Sequence, residues 1–268
     1  MTDVSSAIEI TSLGTLLGSA CDRYFSEPRG RWVFRGHADA RHKLIPSVGR
    51  GIHFSKSRAR HERSLFDIFQ REAVTFLPTR PRDDWEWLSL AQHHGLPTRL
   101  LDWTHNPLVA LFFAVQAAPG VDGSVFALHA VTKASEAVRQ ASPFAIKRPV
   151  KYYPSSVTQR IRSQEGLFVA CSELELPLDK VLRSDWTIEQ IRIPAARKQF
   201  LVYELFRVGV HASALFPDVD GLAARIKWQH SVSPPSSTSE IVGDQLGSQV
   251  EIAPAIDNKL RSTSASSG

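Results

Sequence analysis

Eight consecutive apolar residues, Leu108-Val109-Ala110-Leu111-Phe112-Phe113-Ala114-Val115, stand directly behind Asn106-Pro107. Asparagine before proline is a cap followed by a first-turn proline, so the run enters as a helix. Apolar on every side, such a helix has no solvent face and must be enclosed by other elements. It is far shorter than the roughly 20 apolar residues a membrane span requires, so no membrane association is expected. The chain has 268 residues, 43% of them hydrophobic, enough to build the enclosing core without a disulfide or metal staple. Its two cysteines, Cys21 and Cys171, exclude a disulfide scaffold and a four-cysteine zinc site. Met1-Thr2-Asp3-Val4-Ser5-Ser6 has neither the basic nor the apolar region of a signal peptide. A cytoplasmic protein is therefore expected.

Around this helix, helical and strand patterns alternate. Leu13, Leu16, Leu17, Ala20, Tyr24 and Phe25 keep helical spacing behind a cap at Thr11 or Ser12. Arg31-Trp32-Val33-Phe34-Arg35-Gly36 is rich in strand formers and ends on glycine. Further helices are expected over Leu65–Phe76, Trp85–Ala91, Pro194–Val208 and Asp218–Gln229, and strands over Ser124–Val131, Leu167–Cys171 and Ile188–Ile193. The order has no βαβ spacing and no glycine-rich nucleotide loop. It predicts an α+β fold, a small mixed β-sheet around a buried central helix. Residues 1–30 form an N-terminal helix packed on the domain, 31–230 the domain itself, and 231–268 a flexible Ser/Pro-rich tail.

Net charge is +5, and the tail from Ser231 holds four acids against two bases, so the excess lies on the body. A basic body suits a phosphate-bearing ligand or nucleic acid, although a solvated helix face has the same composition.

Three segments concentrate polar groups beside core elements. In Phe34-Arg35-Gly36, alternation puts Arg35 on the face opposite Trp32 and Phe34. A strand-end guanidinium offers a planar fork to a phosphate or carboxylate; a structural ion pair with Asp102 is the plainer reading. The second segment, Gln92 to Thr104, is a connection holding His93, His94, Thr98, Arg99, Asp102, Trp103 and Thr104 ahead of the apolar helix. The positive end of that helix is an anion site that Arg99 or Thr104 completes, with hydroxyl capping as the alternative for Thr98 and Thr104. In the third, Arg160-Ile161-Arg162-Ser163-Gln164-Glu165-Gly166, Arg160 and Gln164 share a helix face. Glu165 is a candidate general base or simply an exposed residue at a glycine-ended helix. Adjacent histidines point about 100° apart on a helix and no His-Glu-x-x-His spacing occurs, so no metal is expected.

Taken together, these blocks resemble the FRG domain family, named for the triplet seen here as Phe34-Arg35-Gly36. The resemblance runs through Leu44-Ile45-Pro46-Ser47, Trp87 to Thr104, Asn106 to Ala114, Arg160 to Phe168 and Leu215 to Ala223. Family membership implies a role in conflict between bacteria and their phages. Phe34-Arg35-Gly36 is also similar, more weakly, to the first strand of ADP-ribosyltransferases. That similarity implies NAD as substrate, an ADP-ribosyltransferase-like fold, and a protein or nucleic acid as acceptor. Arg35 and Gly36 then begin the NAD site. Thr98, Arg99 and Thr104 belong to a second, hydroxyl-bearing segment, and Trp103 flanks a ring. Asp102, Gln164 and Glu165 complete the catalytic set. One departure stands out: Gln164-Glu165-Gly166 puts glycine where a Gln-x-Glu motif has its acid, leaving Glu165, Glu173 or Glu204 for that role. A nucleic-acid-binding or nuclease domain using Arg35, Arg99 and His94, and a non-catalytic binding module, are the alternatives.

Overall fold

The computed structural model describes residues 9–21, 24, 26, 31–51, 57–130, 134, 136–154 and 158–231. The expected tail, apart from Ser231, and the helical positions Asp22, Arg23 and Phe25 lie outside the described residues.

Six strands form one sheet: Trp32–His37 (β1), Leu100–Thr104 (β2), Gly123–Ala130 (β3), Val150–Tyr152 (β4), Gly166–Ala170 (β5) and Trp186–Ile193 (β6). Their order is β4-β5-β2-β1-β3-β6. Among the described residues every ladder is antiparallel, and the one parallel pair, Glu9 with Arg192, is an isolated bridge outside the strands. The expected mixed sheet is thus an antiparallel one within an α+β fold. Parallel neighbours need a crossover that carries the chain to the opposite end of the strands. Between β1 and β2, a connection holding helices Arg58–Ala73 (α2) and Asp84–His93 (α3) returns the chain to the end it left.

Ser12 Oγ accepts from the Thr15 N–H at 3.1 Å to start Leu13–Thr15 (α1), which widens into π-helical turns over Leu16–Cys21. The apolar run is Pro107–Val115 (α4), with Asn106 Oδ1 accepting from the Leu108 N–H at 3.0 Å. It lies against one face of the sheet, on Trp32, Phe34, Val125 and Ala127, under Leu201 and Leu205 of Lys198–Arg207 (α7) and Leu13 of α1. Each Leu or Phe fully buried there contributes roughly 1.5–3 kcal/mol. The opposite face carries Val33, Leu101, Trp103, Phe126, Leu167 and Val169, covered by Leu44 and Leu178. With both faces buried, the central strands alternate little in polarity. Among the described residues, further helices are Glu136–Gln140 (α5), Gln159–Ser163 (α6), Ala212–Leu215 (α8) and Val219–Ser231 (α9). None of the described helices is long and apolar enough to cross a membrane.

Two devices press α4 onto the sheet. A Cβ on Gly36 would come within 1.9 Å of the Ala110 carbonyl oxygen and 2.7 Å of the Ala114 nitrogen. Glycine therefore lets backbone meet backbone at that point. At the far end of the helix the buried Lys198 ammonium donates to the carbonyls of Ala38 (2.5 Å), Ala117 (3.0 Å) and Ala118 (2.8 Å). One charge thereby ties the end of the helix to the end of β1. Burial lowers the pKa of this ammonium, while Asp39 and Asp122 oppose the shift.

Candidate functional site

The sheet has a weak seam. β1 meets β3 through six residue pairs, but meets β2 only through Phe34 and Thr104. Past that pair the strands part, and Arg35 enters the gap. Its Nη1 donates to the Asp102 carbonyl at 2.6 Å, filling a place that a continuing ladder would give to a backbone N–H. Nη1 also lies 3.5 Å from Asp102 Oδ2, and Nε donates to His37 Nε2 at 3.1 Å. The plainer expectation for Arg35, an ion pair with Asp102, is what its contacts display. The Arg35 side chain is 16% exposed and that of Asp102 62%. Desolvation lowers the arginine's pKa against the raising effect of Asp102.

A cavity of about 240 Å³ opens at this seam. Phe34, Val109, Phe113, Ile161 and Phe168 supply its apolar wall. Arg35, Gln92, His93, Asp102, Arg160 and Gln164 supply most of its polar one. Gly36, Trp103 and Thr104 complete the lining among the expected residues. Segments up to 134 positions apart, from Phe34 to Phe168, therefore meet in one place.

Each polar group is held. Thr98 Oγ1 donates to Gln92 Oε1 at 2.6 Å, and Gln92 Nε2 donates to Asp102 Oδ2 at 3.1 Å. Oδ1 makes no hydrogen bond to a described residue. Gln164 Nε2 donates to the Leu215 carbonyl at 3.2 Å, and its side-chain oxygen accepts no hydrogen bond from a described residue. Thr104 Oγ1 donates to the Gln164 backbone carbonyl at 2.7 Å and accepts from the Asn106 N–H at 3.0 Å. Its single proton is committed, so Thr104 braces the turn and cannot donate to an anion. Burial, with the nearby charges of His94 and Arg160, lowers the pKa of His93.

Three expected residues lie elsewhere. Arg99 is 4% exposed and bound to the equally buried Glu62, with Nη2 donating to Oε2 at 2.6 Å. A guanidinium neutralised inside the protein cannot reach a ligand. Thr98 is wholly buried and acts on the site only through Gln92. Glu165, with φ +48°, sits on the turn before β5 and accepts from Asn106 Nδ2 at 3.1 Å, away from the cavity lining. Glu204 is also occupied: its Oε2 accepts from the Leu13 N–H at 2.8 Å. Asp102 is the one carboxylate that lines the cavity among the described residues. The expected helix-end anion site is corrected as well. The cavity meets the flank of α4 at Val109, Ala110 and Phe113, and the first N–H groups of that helix are taken by Asn106.

Gln92, His93, Arg160 and Phe113 were legible only as members of polar or apolar segments; the shared helix face of Arg160 and Gln164 was their clearest signal. Among the described residues, no three His, Cys, Asp or Glu side chains assemble as a metal site. The Cys171 thiol is buried and pushed up to about 12 by that burial, so it offers no thiolate.

A family model for the FRG domain matches residues 30–122. An FRG domain therefore occupies residues 30–122 of the chain. The matched stretch contains β1, β2 and α4, and with them Arg35, Asp102 and the Gly36 contact. The blocks at 160–168 and 215–223, to which the sequence resemblance extended, lie beyond the match. The FRG triplet has a physical reading: Phe34 anchors the core, Arg35 fills the seam, and Gly36 admits the helix. No curated protein and no solved structure matches the chain, so no relative stands behind the likeness to ADP-ribosyltransferases.

His37 gives the seam a pH dependence. Burial, reinforced by the charge of Arg35, lowers its imidazole from 6.5 to about 4. The neutral ring accepts from Arg35 and presents its Nδ1 to the His42 carbonyl at 3.1 Å. Between those two pH values the unfolded chain binds a proton that the folded chain refuses. Stability present above pH 6.5 therefore falls as the pH drops toward 4, by roughly 3 kcal/mol at most. His93 and His211, both lowered, add in the same direction. Urea midpoints at pH 7 and pH 4.5 should differ less in His37→Gln than in the wild type; an unchanged difference would remove His37 as the cause.

Proposed function

We propose that the cleft binds NAD and that the protein transfers ADP-ribose from it to a nucleophile on a protein or nucleic acid. The observation that carries this reading is the convergence on one cavity of Arg35 from β1, Asp102 from β2 and Gln164 from the turn before β5. About 240 Å³ lies below the roughly 300–1,000 Å³ of sites that enclose a whole drug-sized ligand. The cavity thus suits one end of the dinucleotide, the nicotinamide ring and its ribose, with the phosphates at the mouth.

In the reaction, the bond between ribose C1′ and the nicotinamide nitrogen breaks. The electron pair leaves with the ring, which becomes neutral, and the cationic ribosyl centre is captured by the acceptor, which gives up a proton. A fixed carboxylate beside the developing cation lowers that barrier electrostatically. Asp102, held by Gln92 and Arg35 with Oδ1 open, fits this task. In this reading the Gln164 side-chain oxygen, free of a hydrogen bond from any described residue, accepts from a ribose hydroxyl, and Phe34 and Phe113 exclude water. A toxic or defensive activity between bacteria and phages is the setting the family resemblance implies.

Titration of the protein with NAD tests the reading. Saturable binding with release of nicotinamide is expected. Salt-sensitive retention on an oligonucleotide without nicotinamide release would overturn it in favour of nucleic-acid binding. That rival has already lost Arg99, one of its three proposed contacts, to burial against Glu62.

A further inference from the structure

We propose that Arg160, and not Arg35, is the phosphate-gripping residue of this cleft, holding the diphosphate of a nucleotide at the cavity mouth. The proposal rests on the nucleotide reading above and adds the residue that recognises the phosphates.

Two guanidinium groups line the cavity, and their commitments differ. Arg35 is nearly buried; it donates through Nε and Nη1 to His37 and the Asp102 carbonyl and lies beside the Asp102 carboxylate. Arg160 is exposed, and no carboxylate among the described residues forms an ion pair with it. With two arginines and one aspartate in the lining, the uncompensated positive charge belongs to Arg160.

Arg160 is also held in place. Its guanidinium carbon lies 4.6 Å from the Phe216 ring centroid. Phe216 packs edge-on against Phe113, with centroids 6.1 Å apart, and Phe113 is itself cavity wall. The end of α6 is pinned to the same place, because Ser163 Oγ and Gln164 Nε2 both donate to the Leu215 carbonyl at 3.2 Å. A guanidinium stacked on a ring keeps its planar fork free while losing rotamer freedom in advance, so less is lost when an oxyanion docks.

Spacing supplies the ligand class. Arg160 and Gln164 stand one turn apart, about 5–6 Å between Cβ atoms, and both line the cavity. A ligand whose sugar hydroxyl meets the free Gln164 oxygen can place its 5′-phosphates against Arg160. A nucleobase or ribose alone uses only the inner part.

The test compares ADP-ribose with nicotinamide riboside, which lacks phosphate, by calorimetric titration of the full chain and of Arg160→Ala and Arg160→Lys. Arg160→Ala is expected to weaken ADP-ribose on the order of 10- to 100-fold, the range of a lost charge-assisted bond, and to leave nicotinamide riboside unchanged. The lysine variant recovers part of the loss, because charge remains without the fork. If both ligands bind the wild type and Arg160→Ala keeps the full advantage of ADP-ribose, the assignment of Arg160 fails while the nucleotide reading survives. If both weaken equally, Arg160 shapes the cavity and does not read phosphate, which also overturns the proposal. If neither ligand binds the wild type, the nucleotide reading falls and takes the proposal with it. Should the variant instead lose retention on an oligonucleotide and keep its ADP-ribose affinity, the phosphate belongs to a nucleic-acid strand and the proposal as stated is wrong.

Discussion

Glu62→Ala is expected to lower the unfolding free energy by roughly 3–5 kcal/mol, the largest stability loss from a single side chain near the site. Glu62 is 1% exposed, and both its oxygens are used by Arg99: Oε1 accepts from the backbone N–H at 2.7 Å, Oε2 from Nε at 3.0 Å and Nη2 at 2.6 Å. Arg99 Nη1 donates to the Pro143 carbonyl at 3.1 Å. Removing the carboxylate leaves a buried cation and an unpaired N–H, so the cost reflects what is stranded more than what the pair contributes. Replacing both partners, as in Glu62→Leu with Arg99→Met, should cost less than the two single changes added together. Denaturant midpoints at constant slope measure it, and a single-variant loss under about 1 kcal/mol, the size of a surface pair, would show that solvent reaches these groups. The consequence for the site is positional. The Arg99 carbonyl accepts from the Cys171 N–H at 3.0 Å, and Leu100 then begins β2, so this pair anchors the strand that presents Asp102.

The same pair marks where sequence reading ends. Arg99 stands in the densest polar segment of the chain, and from sequence it is a ligand contact. Its partner lies 37 positions away on α2, and nothing local announces a pairing across that span. From sequence the strand it precedes is a connection, for a related reason. Leu100-Leu101-Asp102-Trp103-Thr104 is buried on both sides except at Asp102, so it lacks alternation, and aspartate is depleted in strands. Strand direction has no local signature either; it follows from where the helices between β1 and β2 return the chain. What depends on neighbouring residues was legible. Asn106-Pro107 capped α4, alternation separated Arg35 from Trp32 and Phe34, and the four-residue spacing put Arg160 beside Gln164. Gly36 was visible as the end of a strand, but its reason is the Ala110 carbonyl 1.9 Å from a would-be Cβ, a contact across 74 positions.

Asp102→Asn should separate chemistry from structure most sharply. The variant is expected to bind ADP-ribose as the wild type does and to release nicotinamide from NAD on the order of 10²–10³-fold more slowly. Asparagine keeps the shape and one acceptor oxygen for the Gln92 amide, whose bond to Oδ2 is 3.1 Å. The Asp102 backbone carbonyl still receives Arg35 Nη1 at 2.6 Å. What disappears is the negative charge that would face a ribosyl cation. The stability cost should stay near that of an exposed ion pair, about 1 kcal/mol or less, because the carboxylate is 62% exposed and 3.5 Å from its partner. Glu165→Gln is the internal comparison: that carboxylate faces Asn106 and not the cavity, so turnover should persist. Wild-type nicotinamide release in Asp102→Asn, or its loss in Glu165→Gln alone, would move the acid to the turn before β5. A large drop in melting temperature in Asp102→Asn with no change in turnover per folded molecule would make the Arg35–Asp102 pair a strut across the seam.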